Sequence, residues 1–174
     1  MLAYSLGAAD TLLAEVAIEL RARKIAVAGA VQIVGTPDKS GKSRMELRLL
    51  PDSECLCISQ DLGPLASGCR LDPAALEYAV GQVSAELSQR PALLILNKFG
   101  KSEAEGRGFR PLIGEALMNG IPALTCVSTA HLDAFTTFAG DMATCLPPDK
   151  QVLLDWCLAQ TNQNMFSQSG DRFD

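Results

Sequence analysis

The run Ala92-Leu93-Leu94-Ile95-Leu96 constrains this chain more than any other feature. It has strand length, no polar position and no alternation, so a strand built from it must be covered on both faces. A sheet with helices packed on each side provides that cover. The flanking sequence agrees. Asp72 can cap a helix, Pro73 suits its first turn, and Leu76, Ala79, Val80, Val83 and Leu87 form its apolar stripe before Pro91 stops it. After the run come a Gly-rich polar loop and a helix over about residues 109–118, ended by Asn119-Gly120.

The same alternation extends along the chain. Residues 2–6 form a short apolar segment ending at Gly7, and Leu12, Leu13, Val16, Ala17 and Leu20 make a helical stripe. Residues 25–34 are β-branched and small, a strand buried on both faces. Residues 36–42 carry Pro37, Asp38 and Gly41, a turn signature, and residues 44–50 then alternate polar and apolar. These two strands predict a hairpin, extended by residues 55–59. Further strands are expected over residues 121–127 and near residues 142–145, with helices over residues 132–139 and 149–160. The expected fold is α/β: a mainly parallel sheet with helices on both faces and an inserted β-hairpin. One domain spans residues 1–160, and residues 161–174 form a polar, flexible tail.

Composition narrows the function classes. With 15 Lys and Arg against 20 Asp and Glu the net charge is −5, which excludes a broad basic surface for nucleic acid. No apolar run reaches the length of a spanning helix, and residues 1–6 lack a basic leader, so a cytoplasmic protein is expected. The six cysteines, Cys55, Cys57, Cys69, Cys126, Cys145 and Cys157, include no CxxC pair, and His131 is the single histidine. Buried, reduced thiols are expected, and no metal site.

Three segments offer anion-binding chemistry. Gly41-Lys42-Ser43 imitates the end of a phosphate-binding loop, but Thr36 stands where its first glycine belongs and a strand follows instead of a helix. Between the first strand and helix, Gly7 and Thr11 offer backbone amides at a helix start, with Asp10 as a cap. The third is the loop Asn97-Lys98-Phe99-Gly100-Lys101-Ser102-Glu103-Ala104-Glu105-Gly106-Arg107-Gly108-Phe109-Arg110. It leaves the carboxyl end of the most buried strand, where open α/β sheets bind ligands, and sets Lys98, Lys101, Arg107 and Arg110 against Glu103 and Glu105. Arg70, beside Gly68 and Cys69 and just before the capped helix, is a further candidate.

Residues 93–110, with Glu115-Ala116-Leu117, Gly120-Ile121-Pro122 and the Val27-Ala28-Gly29-Ala30-Val31-Gln32 strand, resemble a bacterial domain-of-unknown-function family often encoded beside molybdenum-transport genes. That family is in turn similar to small P-loop nucleoside-triphosphatases. The resemblance implies a P-loop-like scaffold in which Gly100-Lys101-Ser102-Glu103 is kept, while Asn97-Lys98 stands where an acidic pair belongs. A Mg²⁺-dependent hydrolase needs such carboxylates. The leading expectation is therefore a non-hydrolytic accessory protein that binds a nucleotide or an oxyanion such as molybdate. Gly7, Thr11, Arg70, Asn97, Lys98, Lys101, Arg107 and Arg110 would hold the ligand. Two alternatives stay open: a hydrolase or transferase with metal ligands rewired to Asp10, Glu103 or Glu105, and an interaction module whose homodimer buries the hairpin.

Overall fold

The computed structural model describes residues 2–3, 8–37, 43–51, 54–60 and 70–169. Its elements in chain order are β1 (Leu2–Ala3), α1 (Ala8–Ala22), β2 (Val27–Pro37), β3 (Ser43–Leu50), β4 (Cys55–Cys57), α2 (Pro73–Leu87), β5 (Leu93–Phe99), α3 (Lys101–Ala104), α4 (Arg110–Met118), β6 (Ala123–Val127), α5 (Leu132–Ala139) and α6 (Lys150–Ser169). The six strands form one sheet in the order β1-β6-β5-β2-β3-β4. The first four run parallel, and β3 and β4 add an antiparallel extension beyond β2. This is the α/β architecture with an inserted hairpin that the sequence pattern implies, consistent with a P-loop-like fold.

Alternation along β5 explains the two-sided core. Leu93 and Ile95 face α1 and α6, where Leu13, Val16, Leu20, Leu153 and Cys157 cover them. Leu94 and Leu96 face α2 and α4, among Ala79, Val83, Leu112 and Ala116. All four leucine and isoleucine side chains are fully buried, and each such burial contributes about 1.5–3 kcal/mol. On α2, the Asp72 carboxylate accepts from the amides of Ala74 at 2.9 Å and Ala75 at 3.2 Å, and Pro73 fills the first turn.

Two boundaries differ from the sequence pattern. No strand forms over residues 142–145: Gly140–Met142 is a 3₁₀ turn, and Met142, Ala143, Thr144 and Cys145 are exposed. β1 is the strand that lies beside β6, and residues 142–145 pair with neither it nor any other described strand. Helix α6 continues past residue 160, with Thr161 buried and its hydroxyl donating to the Leu158 carbonyl at 3.0 Å. No described helix is long and apolar enough to cross a membrane.

Thiol burial is mixed. Cys126 and Cys157 are buried, whereas Cys55, Cys57 and Cys145 are exposed, contrary to the expectation of buried thiols throughout. Desolvation pushes the Cys157 thiol up to about 12, so it stays protonated and inert at neutral pH. Cys55 and Cys57 alternate with half-buried Leu56, the residue of β4 that packs on the core, so both thiols lie on its outer side.

Candidate functional site

A bulge at the end of β5 creates the site. Leu96 pairs with Thr125 and Lys98 with Cys126, so Asn97 is an extra residue without a partner in β6. Its insertion reverses the alternation. Phe99, which would otherwise face α1 with Leu93 and Ile95, joins the opposite core, 5.0 Å from Phe135 and 5.8 Å from Phe138. The bulge also turns Asn97 toward β2, whose pairing with β5 ends at Ala30. There the Asn97 Oδ1 accepts from the Gln32 amide at 3.2 Å, and its Nδ2 donates to Gln32 Oε1 at 2.9 Å. Asn97 thus replaces the next rung of the ladder with its own side chain.

Past that rung β2 and β3 diverge from β5, and a pocket of about 370 Å³ opens between them. Met45, Leu47, Ile58, Leu71, Leu76 and Phe109 form apolar walls, and Arg70, Lys98 and Lys101 bring positive charge against the one carboxylate of the lining, Glu103. Arg70 is carried in by an antiparallel bridge between Ser59 and Leu71, reinforced by the Gln60 amide on the Arg70 carbonyl at 2.6 Å. One guanidinium nitrogen of Arg70 donates to the Ser43 carbonyl at 3.4 Å, which draws it along the hairpin side of the pocket. Volume and lining are those of a small-molecule site: an apolar body with few, convergent polar groups.

The loop after β5 holds an anion already, and that anion is its own. Glu103 is 5% exposed, and its Oε2 accepts from the Gly100 amide at 3.0 Å while Oε1 accepts from the Phe109 amide at 3.1 Å. Gly108, at φ +58°, passes so close that a Cβ there would lie 2.2 Å from Glu103 Oε1. Part of the glycine-lined cradle expected for a ligand is therefore filled by this carboxylate. Glu103→Gln turns an amide NH₂ toward one of those two donors and leaves it unmatched. A loss of about 2 kcal/mol is expected, read by urea denaturation, together with faster hydrogen exchange at the Gly100 or Phe109 amide. Unchanged exchange at both amides would show that the carboxylate does not fasten the loop.

The fold sorts the other candidate residues clearly. Arg70, Asn97, Lys98 and Lys101 line one pocket, although the Asn97 amide is committed to Gln32. Lys101 sits at the rim, 82% exposed, with its Nζ 3.9 Å from Glu105. Arg107 turns away to pair with Glu105 and is 71% exposed. Arg110 lies over the Phe138 ring, 4.7 Å from its centroid, and donates to the Glu103 carbonyl at 3.4 Å. Thr11 lines a separate cavity of about 310 Å³ with Arg44 and the β2 edge. Gly7, Gly41-Lys42, Cys69 and the side chain of Asp10 lie outside the described residues. Glu103 and Glu105, the carboxylates proposed as rewired metal ligands, are engaged by amides and by cations respectively. No group of three or more His, Cys, Asp or Glu among the described residues is placed to hold a metal ion.

Gln32 and the apolar walls are the parts of the site that sequence reasoning missed. Its one available signal was a lone polar residue within the small and β-branched run of β2.

Fold and pocket together define an α/β domain with a cationic, largely apolar cleft at the carboxyl end of its central strand. The chain belongs to the family described as "Protein of unknown function (DUF2478)", whose model matches residues 2–156. It is similar to the molybdenum import ATP-binding protein ModC 2 of Bradyrhizobium diazoefficiens, 36% identical over 148 residues. That match covers 84% of this chain and 16% of the relative, so the chain spans about one sixth of that protein. No solved structure matches the chain.

Proposed function

We propose that this domain is a non-hydrolytic accessory module that binds an organic anion of mononucleotide size in the pocket beside β5. The observation that carries the reading is the lining: Arg70, Lys98 and Lys101 around a volume of about 370 Å³ whose walls are otherwise mainly apolar. Charge-assisted bonds from guanidinium and ammonium groups suit phosphate or carboxylate oxygens. The apolar walls suit a ring or chain attached to them. A bare tetrahedral oxyanion such as molybdate has no apolar part and would leave most of the cleft unfilled, so the larger anion is the better fit.

Hydrolysis receives less support. The carboxylates nearest the pocket are bound by backbone amides or paired with cations, and Asn97-Lys98 puts an amide and a cation where metal-binding acids would serve. The relative named as a molybdenum import ATP-binding protein supports a place beside molybdenum uptake. On that reading the domain senses or delivers an anion for a larger assembly.

Thermal unfolding against ATP, GTP, ADP, mononucleotides, phosphate, sulfate, molybdate and tungstate, each with and without Mg²⁺, tests the proposal. A ligand at a hundred times its Kd adds about 2.7 kcal/mol, or roughly 5–10 °C for a chain of this size. A Mg²⁺-independent shift by nucleotides that exceeds any shift by inorganic anions is expected. A shift confined to molybdate and tungstate would overturn the organic-anion reading, and Mg²⁺-dependent phosphate release would restore the hydrolase.

A further inference from the structure

Two hydrogen bonds at the back of the pocket orient two side-chain amides. The Gln32 backbone N–H can only donate, so the Asn97 atom that meets it at 3.2 Å is Oδ1. The other branch of Asn97 is therefore NH₂, and the Gln32 side-chain atom that it meets at 2.9 Å must be Oε1. Gln32 lines this pocket and also the adjoining cavity of about 310 Å³, and with its oxygen held against Asn97 the branch left for a ligand is its NH₂. Asn97 is 5% exposed, so the clasp is fixed from within the core and does not turn to suit a ligand.

The surrounding polar groups share this bias. Arg70 and Lys98 are donors only, and each carboxylate oxygen of Glu103 already accepts one backbone amide, so the Ser102 hydroxyl and the second lone pairs of Glu103 are the side-chain acceptors left on the Glu103 side of the lining. We propose that Gln32 is a specificity-determining residue of this pocket, selecting organic anions whose ring presents an oxo acceptor over those that present an amino donor. The inference rests on the reading of the cleft as an organic-anion site. An oxo ligand would accept from the Gln32 NH₂, whereas an amino ligand would bring two donors together and leave both unmatched in a partly desolvated site.

Inosine monophosphate and adenosine monophosphate make a near-minimal pair, differing in an oxo for an amino group and in the proton on the adjoining ring nitrogen. Isothermal titration of the wild-type protein is expected to give at least about tenfold tighter binding of the inosine nucleotide. Gln32→Glu keeps an oxygen facing Asn97 but replaces the donor by an acceptor, so the preference should vanish or reverse even as both affinities fall. Gln32→Met, with similar volume and no donor, should also lose the preference. Equal wild-type affinities, or a preference that survives in both variants, would overturn the role of Gln32 and leave the anion site standing. Binding of neither nucleotide would overturn the mononucleotide reading and this inference with it.

Discussion

Gly29→Ala is expected to destabilise the fold by at least about 4 kcal/mol, a large share of what a domain of this size has to lose. Gly29 sits on β2 opposite Ile95 of the central strand, at φ +138°, a conformation that L side chains rarely adopt. A Cβ there would lie 1.8 Å from the Ile95 carbonyl oxygen and 2.7 Å from its carbon. The obstacle is backbone, so no rotamer change relieves it. Moving β5 aside would break its ladder to β6, from Leu94–Ala123 to Phe99–Val127, and strip cover from four fully buried residues. Urea denaturation is the measurement, with Gly81→Ala as the counterpart. Gly81 is exposed within α2 with nothing within 4 Å of a Cβ, so alanine there should stabilise by about 0.5–1 kcal/mol. A Gly29→Ala protein within about 1 kcal/mol of wild type would show that β2 and β5 can separate freely.

Much of the scaffold was legible because its signals are local. The Asp72 cap, Pro73 and the stripe from Leu76 to Leu87 sit within one helix, and the uninterrupted run of β5 reports its burial on both faces. What escaped depends on residues distant in the chain. Nothing near Asn97 announces a bulge, because its bonds go to Gln32, 65 residues away. The glycines and charges around residues 101–104 predict a loop, where the structure has the short helix α3. Its signal was nevertheless present in Gly100-Lys101-Ser102-Glu103, where an acid three residues after the N-cap can reach back to the cap amide, as Glu103 does at 3.0 Å. Charge counting in the same segment weighted four cations equally, yet their surroundings divide them. Glu105 draws Arg107 outward and Phe138 holds Arg110, while the β3–β4 side of the sheet brings Arg70 to the pocket across a stretch that no local pattern connects to β5.

That division sets the second large effect. Replacing Arg70 and Lys98 together by Ala is expected to weaken binding of the nucleotide giving the largest thermal shift by about a hundredfold or more. A hydrogen bond to a charged group contributes about 1.5–3 kcal/mol, and both residues are half-buried, which moves the expectation to the lower end of that range for each. The two side chains come from segments on opposite sides of the pocket, so their losses should be close to additive unless one phosphate bridges both. Arg107→Ala, removed from the pocket by its pairing with Glu105, should bind within about twofold of wild type. Raising the salt concentration should weaken wild-type binding more than binding by the double variant, since screening acts on the charges that the variant lacks. If the double variant binds within about threefold of wild type, or if Arg107→Ala is the damaging change, the anion sits on the outer loop and the pocket beside β5 is not its site.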